Sequence, residues 1–228
     1  MTPLGTLALI SVPIGNSGDI TLRALETLKQ ADLLFVEDKR VTSALLAHYH
    51  IETPQHRFDT RRLAESLALL RTSLESGKSV ALVSDAGTPA VADPGNRAVQ
   101  EALKLGAKVI AVPGASALLT ALLSSGMATG RFAFDGFPPT FPTDRHHFFS
   151  TLENETRTII LYEIPRRLRS TLCTLERHLG TDRNVMIAKD LTKPTEQLTY
   201  TTLGEACQNA ESGVRKGEYT LVISKKNR

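Results

Sequence analysis

Short apolar runs alternate with longer stretches in which apolar residues recur every third or fourth position along the first half of the chain. Leu7-Ala8-Leu9-Ile10-Ser11-Val12 reads as a strand, and Asp19 to Ala31 as an amphipathic helix carrying Leu22, Leu25 and Leu28. Leu33-Leu34-Phe35-Val36 predicts the next strand. Arg61 to Ser76 predicts a helix, because Leu63, Leu67, Leu70 and Leu74 make one stripe along it. Gly77 follows where a left-handed terminating residue is wanted. Ser79 to Val83 is a continuous apolar run and predicts a fully buried strand. Asn96 to Leu103 then reads as a helix, Lys108 to Val112 as a strand and Ser116 to Ser125 as a helix. This alternation implies an α/β fold with a mostly parallel sheet covered by helices.

After Gly126 the texture changes. Strands are expected at Phe132-Ala133-Phe134, Thr158 to Tyr162, Val185 to Ala188, Leu198 to Thr201 and Tyr219 to Ile223. Helices are expected near Asp144 to Leu152, Arg166 to Leu179 and Leu203 to Ala210. A second α/β domain with a mixed sheet and more antiparallel pairing follows. The expected division is residues 1–125 and 126–228, with Ser124-Ser125-Gly126 as linker and a ligand cleft between the two.

Composition narrows this picture modestly. The 228 residues are 41% hydrophobic with no Trp, so aliphatic side chains must fill the cores. The net charge of +3 neither demands nor excludes an RNA partner. No apolar run is long enough to span a bilayer. Met1 to Thr6 lacks the basic start of a signal peptide. Cys173 and Cys207 lie far apart within helical patterns and have no metal-ligand spacing. They are read as core or near-surface thiols of a reduced, cytoplasmic protein. The six histidines have no zinc spacing either, and no metal is expected.

Four loops follow predicted strands and carry the candidate chemistry. Ser84-Asp85-Ala86-Gly87-Thr88-Pro89-Ala90-Val91-Ala92-Asp93-Pro94-Gly95 links a buried strand to a helix, with Asp93-Pro94 expected to start that helix. Pro13-Ile14-Gly15-Asn16-Ser17-Gly18-Asp19 follows the first strand, Glu37-Asp38-Lys39-Arg40 the second, and Pro113-Gly114-Ala115-Ser116-Ala117 another. None is a dinucleotide fingerprint or a P-loop. Each alone has a plain alternative: an ordinary turn, or, for Glu37 to Arg40, a solvated helix start or a local ion-pair network. Together, a parallel sheet gathers all four at the carboxyl ends of its strands, where ligands bind in open α/β sheets.

Those segments, with Gly136-Phe137-Pro138-Pro139, Tyr162-Glu163-Ile164-Pro165-Arg166-Arg167 and Leu191-Thr192-Lys193, resemble the tetrapyrrole methylase superfamily. Within it the chain is most similar to the group that methylates a cytidine ribose 2′-hydroxyl of 16S ribosomal RNA. The resemblance runs from about residue 7 to about residue 223. It implies a two-domain methyltransferase that binds S-adenosylmethionine in the interdomain cleft, usually as a homodimer. It assigns cofactor contacts to Pro13, Asp85, Thr88, Ser116, Ala117 and Tyr162. Glu37, Asp38 and Arg40, at a strand end on the same edge as the cofactor loops, are the catalytic candidates on the acceptor side, and Arg166, Arg167 and Lys193, from clusters of basic residues, are the candidate RNA contacts. The implied partner is ribosomal RNA or the small ribosomal subunit, with no membrane and no DNA.

The chain departs from the family pattern at Lys39, Ala115, Pro138 and Arg166, where Thr, Pro, Leu and His are usual, and at Ala188-Lys189-Asp190. It also reads as a short form without the C-terminal extension of longer members. These departures leave open two alternatives, a methyltransferase acting on a tetrapyrrole or other small molecule, and a non-catalytic cofactor-binding module.

Overall fold

The computed structural model describes residues 3–210 and 216–225. Met1 and Thr2, on which part of the signal-peptide reading rested, lie outside the described residues. So do residues 226–228, where the short-form reading placed the end of the chain.

The chain divides into two compact units, Met1–Ser116 and Ala117–Arg228. The sequence reading placed this division at residue 125. It falls instead directly after the Pro113-Gly114-Ala115-Ser116 loop, so the helix that follows belongs to the second unit.

The first unit contains β1 (Thr6–Ile10), α1 (Leu22–Gln30), β2 (Leu33–Val36), α2 (Lys39–His48), β3 (Gln55–Arg57), α3 (Leu63–Glu75), β4 (Ser79–Val83), α4 (Asn96–Leu105) and β5 (Lys108–Val112). Its five strands form a wholly parallel sheet in the order β3-β2-β4-β1-β5. Side chains alternate across a strand, and the two faces are packed accordingly. Ala8, Ile10, Leu34, Val36, Ala81 and Val83 face Ala24 and Leu28 of α1 and Leu46 of α2. Leu7, Phe35, Val80 and Leu82 face Leu70 and Leu74 of α3 and Ala98 and Ala102 of α4. The leucine stripe of α3 therefore does what its spacing predicts. Asp93 does not cap α4 itself. Its Oδ1 accepts from the N–H groups of Ala90 and Gly95, both at 2.7 Å, and Gly95 is the capping residue.

The second unit contains α5 (Ala117–Ser124), β6 (Phe132–Phe134), α6 (Pro142–Leu152), β7 (Thr158–Glu163), α7 (Leu168–Leu179), β8 (Asn184–Lys189), β9 (Gln197–Thr202), α8 (Leu203–Asn209) and β10 (Tyr219–Ile223). Its mixed sheet runs β6-β7-β10-β8-β9, parallel only between β6 and β7. Strand β10 is central and buried along its whole length. It packs with Phe149, Leu172, Leu175 and Leu203 from α6, α7 and α8. Thr202 and Glu205 cap α8 reciprocally.

The cysteine reading needs correction. Helices α7 and α8 bring Cys173 and Cys207 to a Cα separation of 4.7 Å, and the two are joined as a disulfide. Helix neighbours in space leave no mark in sequence spacing, which is why the pair looked unrelated. Among the described residues, no helix is long and apolar enough to cross a membrane, and no group of three His, Cys, Asp or Glu side chains is placed to hold a metal ion.

Candidate active site

In a parallel sheet every strand ends on the same edge. The loops after β1, β2, β4 and β5 therefore lie together in the first unit. Backbone contacts knit them. Val12 and Gly87 exchange hydrogen bonds of 2.9 and 3.1 Å, tying the loop after β4 to the end of β1. Gly87 has φ +75°, and a side chain there would also press on Ile14 at 3.2 Å. A Cβ on Gly114 would lie 3.0 Å from the Cβ of Ser11. Ser11 Oγ donates to Thr88 Oγ1 at 3.2 Å, and Thr88 Oγ1 donates to the Ala115 carbonyl at 3.1 Å. Thr88 thus links the ends of β1, β4 and β5. Between Pro89 and Asp93, Ala90 and Ala92 adopt φ values of 69° and 59°. Residues with a Cβ are uncommon there, and such strain concentrates in functional loops.

The charged run after β2 joins the same assembly. The Asp38 N–H donates to Asp85 Oδ1 at 2.9 Å, and the Asp85 N–H reaches Glu37 Oε2 at 3.4 Å. Loss of water around the Glu37 carboxyl, and then the Asp85 charge, raise its pKa above the ordinary carboxylate value. Asp38 behaves oppositely. It caps α2 and receives Arg40 through the backbone N–H, Nε and Nη2, the last at 2.6 Å. These hydrogen bonds lower its pKa to about 2. The Arg40 side chain is 90% exposed, so its other donors face solvent. Pro13, Glu37, Asp38, Arg40, Asp85, Thr88 and Ser116 accordingly all lie on one edge of one unit.

Ala117 and Tyr162 belong to the second unit. Ala117 begins α5, and the next N–H, that of Leu118, donates to the Tyr162 hydroxyl at 3.1 Å. Burial raises the Tyr162 pKa, while the Leu118 hydrogen bond acts against it. Phe134 and Phe137 pack on the Tyr162 ring at centroid distances of 4.9 and 5.4 Å.

The three RNA candidates occupy different surroundings. Arg166 is exposed and makes no hydrogen bond or ion pair among the described residues. Arg167 is turned inward. Its Nε donates to the buried Glu163 carboxylate at 2.9 Å and its Nη1 to the Pro138 carbonyl at 3.0 Å. Lys193 pairs with Glu218 at 2.8 Å and Asp190 at 3.6 Å.

Sequence reasoning named Glu163 within a family segment but did not read the cluster around it. Glu163 also accepts from Ile164 N–H and from Thr171 Oγ1. Arg145 donates to Thr171 Oγ1 and to the Pro139 carbonyl. Two arginines thereby pin the Pro138-Pro139 loop to a carboxylate, and only the concentration of Arg near Glu163 hinted at it. Thr42, in helix α2, was also passed over.

Residues 6–207 match the model for tetrapyrrole (corrin/porphyrin) methylases. The chain is 46% identical over 222 residues to the ribosomal RNA small subunit methyltransferase I of Synechocystis, covering 97% of this chain and 79% of that protein. It is 40% identical over 223 residues to the protein of that name from Thermotoga maritima, covering 98% and 100%. In fold it is similar to the uroporphyrin-III C-methyltransferase of Thermus thermophilus complexed with S-adenosylhomocysteine, with a TM-score of 0.68 and 22% identity over 96% of this chain and 97% of that one. The chain belongs to the tetrapyrrole (corrin/porphyrin) methylase family of S-adenosylmethionine-dependent methyltransferases.

Proposed function

We propose that the protein methylates the ribose 2′-hydroxyl of a cytidine in 16S ribosomal RNA. One observation carries this reading: Glu37, Asp38 and Arg40 are joined through Asp85 to the loops assigned to the cofactor. The names of the relatives support the RNA substrate.

The residues fit S-adenosylmethionine. Bare backbone at Gly87 and Gly114 permits the close approach of loops that a side chain would prevent. Pro13, Asp85, Thr88 and Ser116 are the proposed contacts on the first unit, with Ala117 and Tyr162 on the second. When bound, the cofactor supplies a methyl group on a sulfonium, already a good leaving system. The protein's work is then positioning and exclusion of water. A ribose hydroxyl is a very weak acid and needs a base or hydrogen-bond donors as charge develops on its oxygen. Glu37, with its raised pKa, is the proton acceptor in this proposal. Asp38 stays ionised and holds Arg40, whose exposed donors meet the nucleotide. Arg166 and Lys193 contact RNA phosphates, although Lys193 must share its charge with Glu218 and Asp190. A homodimer and a cytoplasmic setting complete the proposal.

The test is to incubate the protein and methyl-labelled S-adenosylmethionine with undermodified small subunits, free 16S RNA and a tetrapyrrole precursor. Label on a cytidine ribose is the expected result. Label on the macrocycle would overturn it, as would no transfer to any of the three.

A further inference from the structure

One hydroxyl in the first unit is buried with nothing to bond. Thr42, in α2, is 3% exposed, and its Oγ1 has no hydrogen-bond partner among the described residues. A threonine inside a helix ordinarily donates back to the carbonyl four residues earlier. Thr27, Thr72 and Thr174 do so here. Thr42 does not, although its backbone N–H bonds the Asp38 carbonyl. A buried polar group left unpaired costs stability, and native structures tolerate few of them.

Thr42 lines a pocket of about 300 Å³ beside α2. Val12, Pro13, Val41, Leu45 and Val83 make its walls largely apolar, with Asp85 among the polar groups. This volume lies at the small end of the range for ligand pockets, about 300–1,000 Å³. Apolar walls with a few placed polar groups suit a flat heterocycle with hydrogen-bonding edges. Thr88 and Ser116, assigned to the cofactor, do not line the pocket, whereas Pro13 and Asp85 do. The pocket therefore shares one wall with the proposed cofactor loops and extends away from them along α2.

We propose that this pocket receives the single-ring base of the nucleotide whose ribose is methylated, and that Thr42 Oγ1 hydrogen-bonds the edge of that base. The inference rests on the reading of RNA as acceptor. A stacked RNA helix displays its 2′-hydroxyls without distinguishing one nucleotide from the next, and proteins that read RNA sequence commonly splay a base out and bind its edge. Glu37 and Asp38 lead directly into α2, and Arg40 stands in its first turn. A base held along this helix thus leaves its own sugar near the groups proposed to act on it. The Thr42 hydroxyl is closed to solvent in this structure, and it becomes satisfied when a base is present and the side chain turns toward it.

Two variants test this. Thr42→Val keeps shape and removes the unpaired group, so the fold is preserved. Ala44→Phe enters the pocket from an exposed position on α2. Methyl transfer is followed against the concentration of undermodified small subunits, and S-adenosylmethionine affinity is measured by calorimetry. The expected result is a fall in kcat/KM of about tenfold for Thr42→Val, the scale of one hydrogen bond, with recovery in Thr42→Ser. Ala44→Phe should lose more, and cofactor affinity should be unchanged in both. Wild-type kcat/KM in both variants overturns the inference and leaves the RNA reading standing. Parallel loss of cofactor affinity also overturns it and gives the pocket to the cofactor. If wild-type protein methylates no RNA, the reading beneath it has failed and the inference falls with it.

Discussion

Glu37 and Asp38 are chain neighbours whose carboxyl groups shift in opposite directions. The difference makes their roles separable. If Glu37 accepts the proton, transfer should fall as pH drops through a value above 4.5, the ordinary value for this group. Glu37→Gln should abolish that acid limb and slow transfer about 10²–10⁴-fold. Asp38→Asn should leave the limb in place, because Asp38 is ionised down to about pH 2. A pH–rate profile of the three proteins decides it. The sign for stability follows from the same shift. A raised carboxyl pKa means that the native state binds the proton more tightly, so Glu37 favours folding at low pH and that contribution is lost as pH rises. The charge cluster itself was legible in the sequence, as four charged residues ending an apolar run. Its electrostatics were not, because Asp85 reaches it from another strand end.

Arg166 and Arg167 stand together in a short 3-10 turn before α7, yet only Arg166 has its guanidinium in solvent. Replacing Arg166 with Ala should flatten the dependence of log affinity on log salt for single-stranded RNA by about 0.7, the value for one phosphate contact. Arg167→Ala should leave that slope alone and destabilise the second unit by about 3 kcal/mol, since it strips a buried carboxylate of its cation. Salt titrations and denaturant melts of the two single variants check this. Neighbouring basic residues look alike in sequence, and Glu163 becomes a discriminating partner only when β7 is buried. Strand β3 escaped notice for a related reason, and helix α2 entered only as a plain alternative, a solvated helix start at the charged run. Gln55-His56-Arg57 carries no apolar alternation, and Lys39–His48 begins with the charges that drew attention to chemistry instead. The long apolar elements β4, α3 and β10 were readable because burial alone dictates their pattern.

Both sheets were legible as classes, since strand–helix alternation prescribes parallel pairing, and the two successive strands expected at Val185 to Ala188 and Leu198 to Thr201 admit antiparallel pairing. The disulfide was not, since it depends on how α7 and α8 pack. Closing the Cys173–Cys207 loop removes freedom from the unfolded chain. The loop-entropy account expects about 3–4 kcal/mol for a loop of this length. Oxidised wild type should therefore resist denaturant better than Cys173→Ser, and the two should coincide once a thiol reductant is added. Equal stability under oxidising conditions would show that the bridge contributes nothing. In the proposed cytoplasmic setting, thiol buffers favour the reduced pair. The order β3-β2-β4-β1-β5 carries a different consequence, for synthesis. Strand β1 leaves the ribosome first, but its two sheet neighbours are β4 and β5, so it has no partner until Val83 has been made and only one until Val112. At about 5–20 residues per second, roughly 5–20 seconds pass between β1 and β5. Throughout that wait the strand carrying Leu7, Leu9 and Ile10 has at least one hydrogen-bonding edge unclaimed, an opening for chaperones. A chain stalled before Lys108 would have the Pro13 loop without the settled strand needed to aim it.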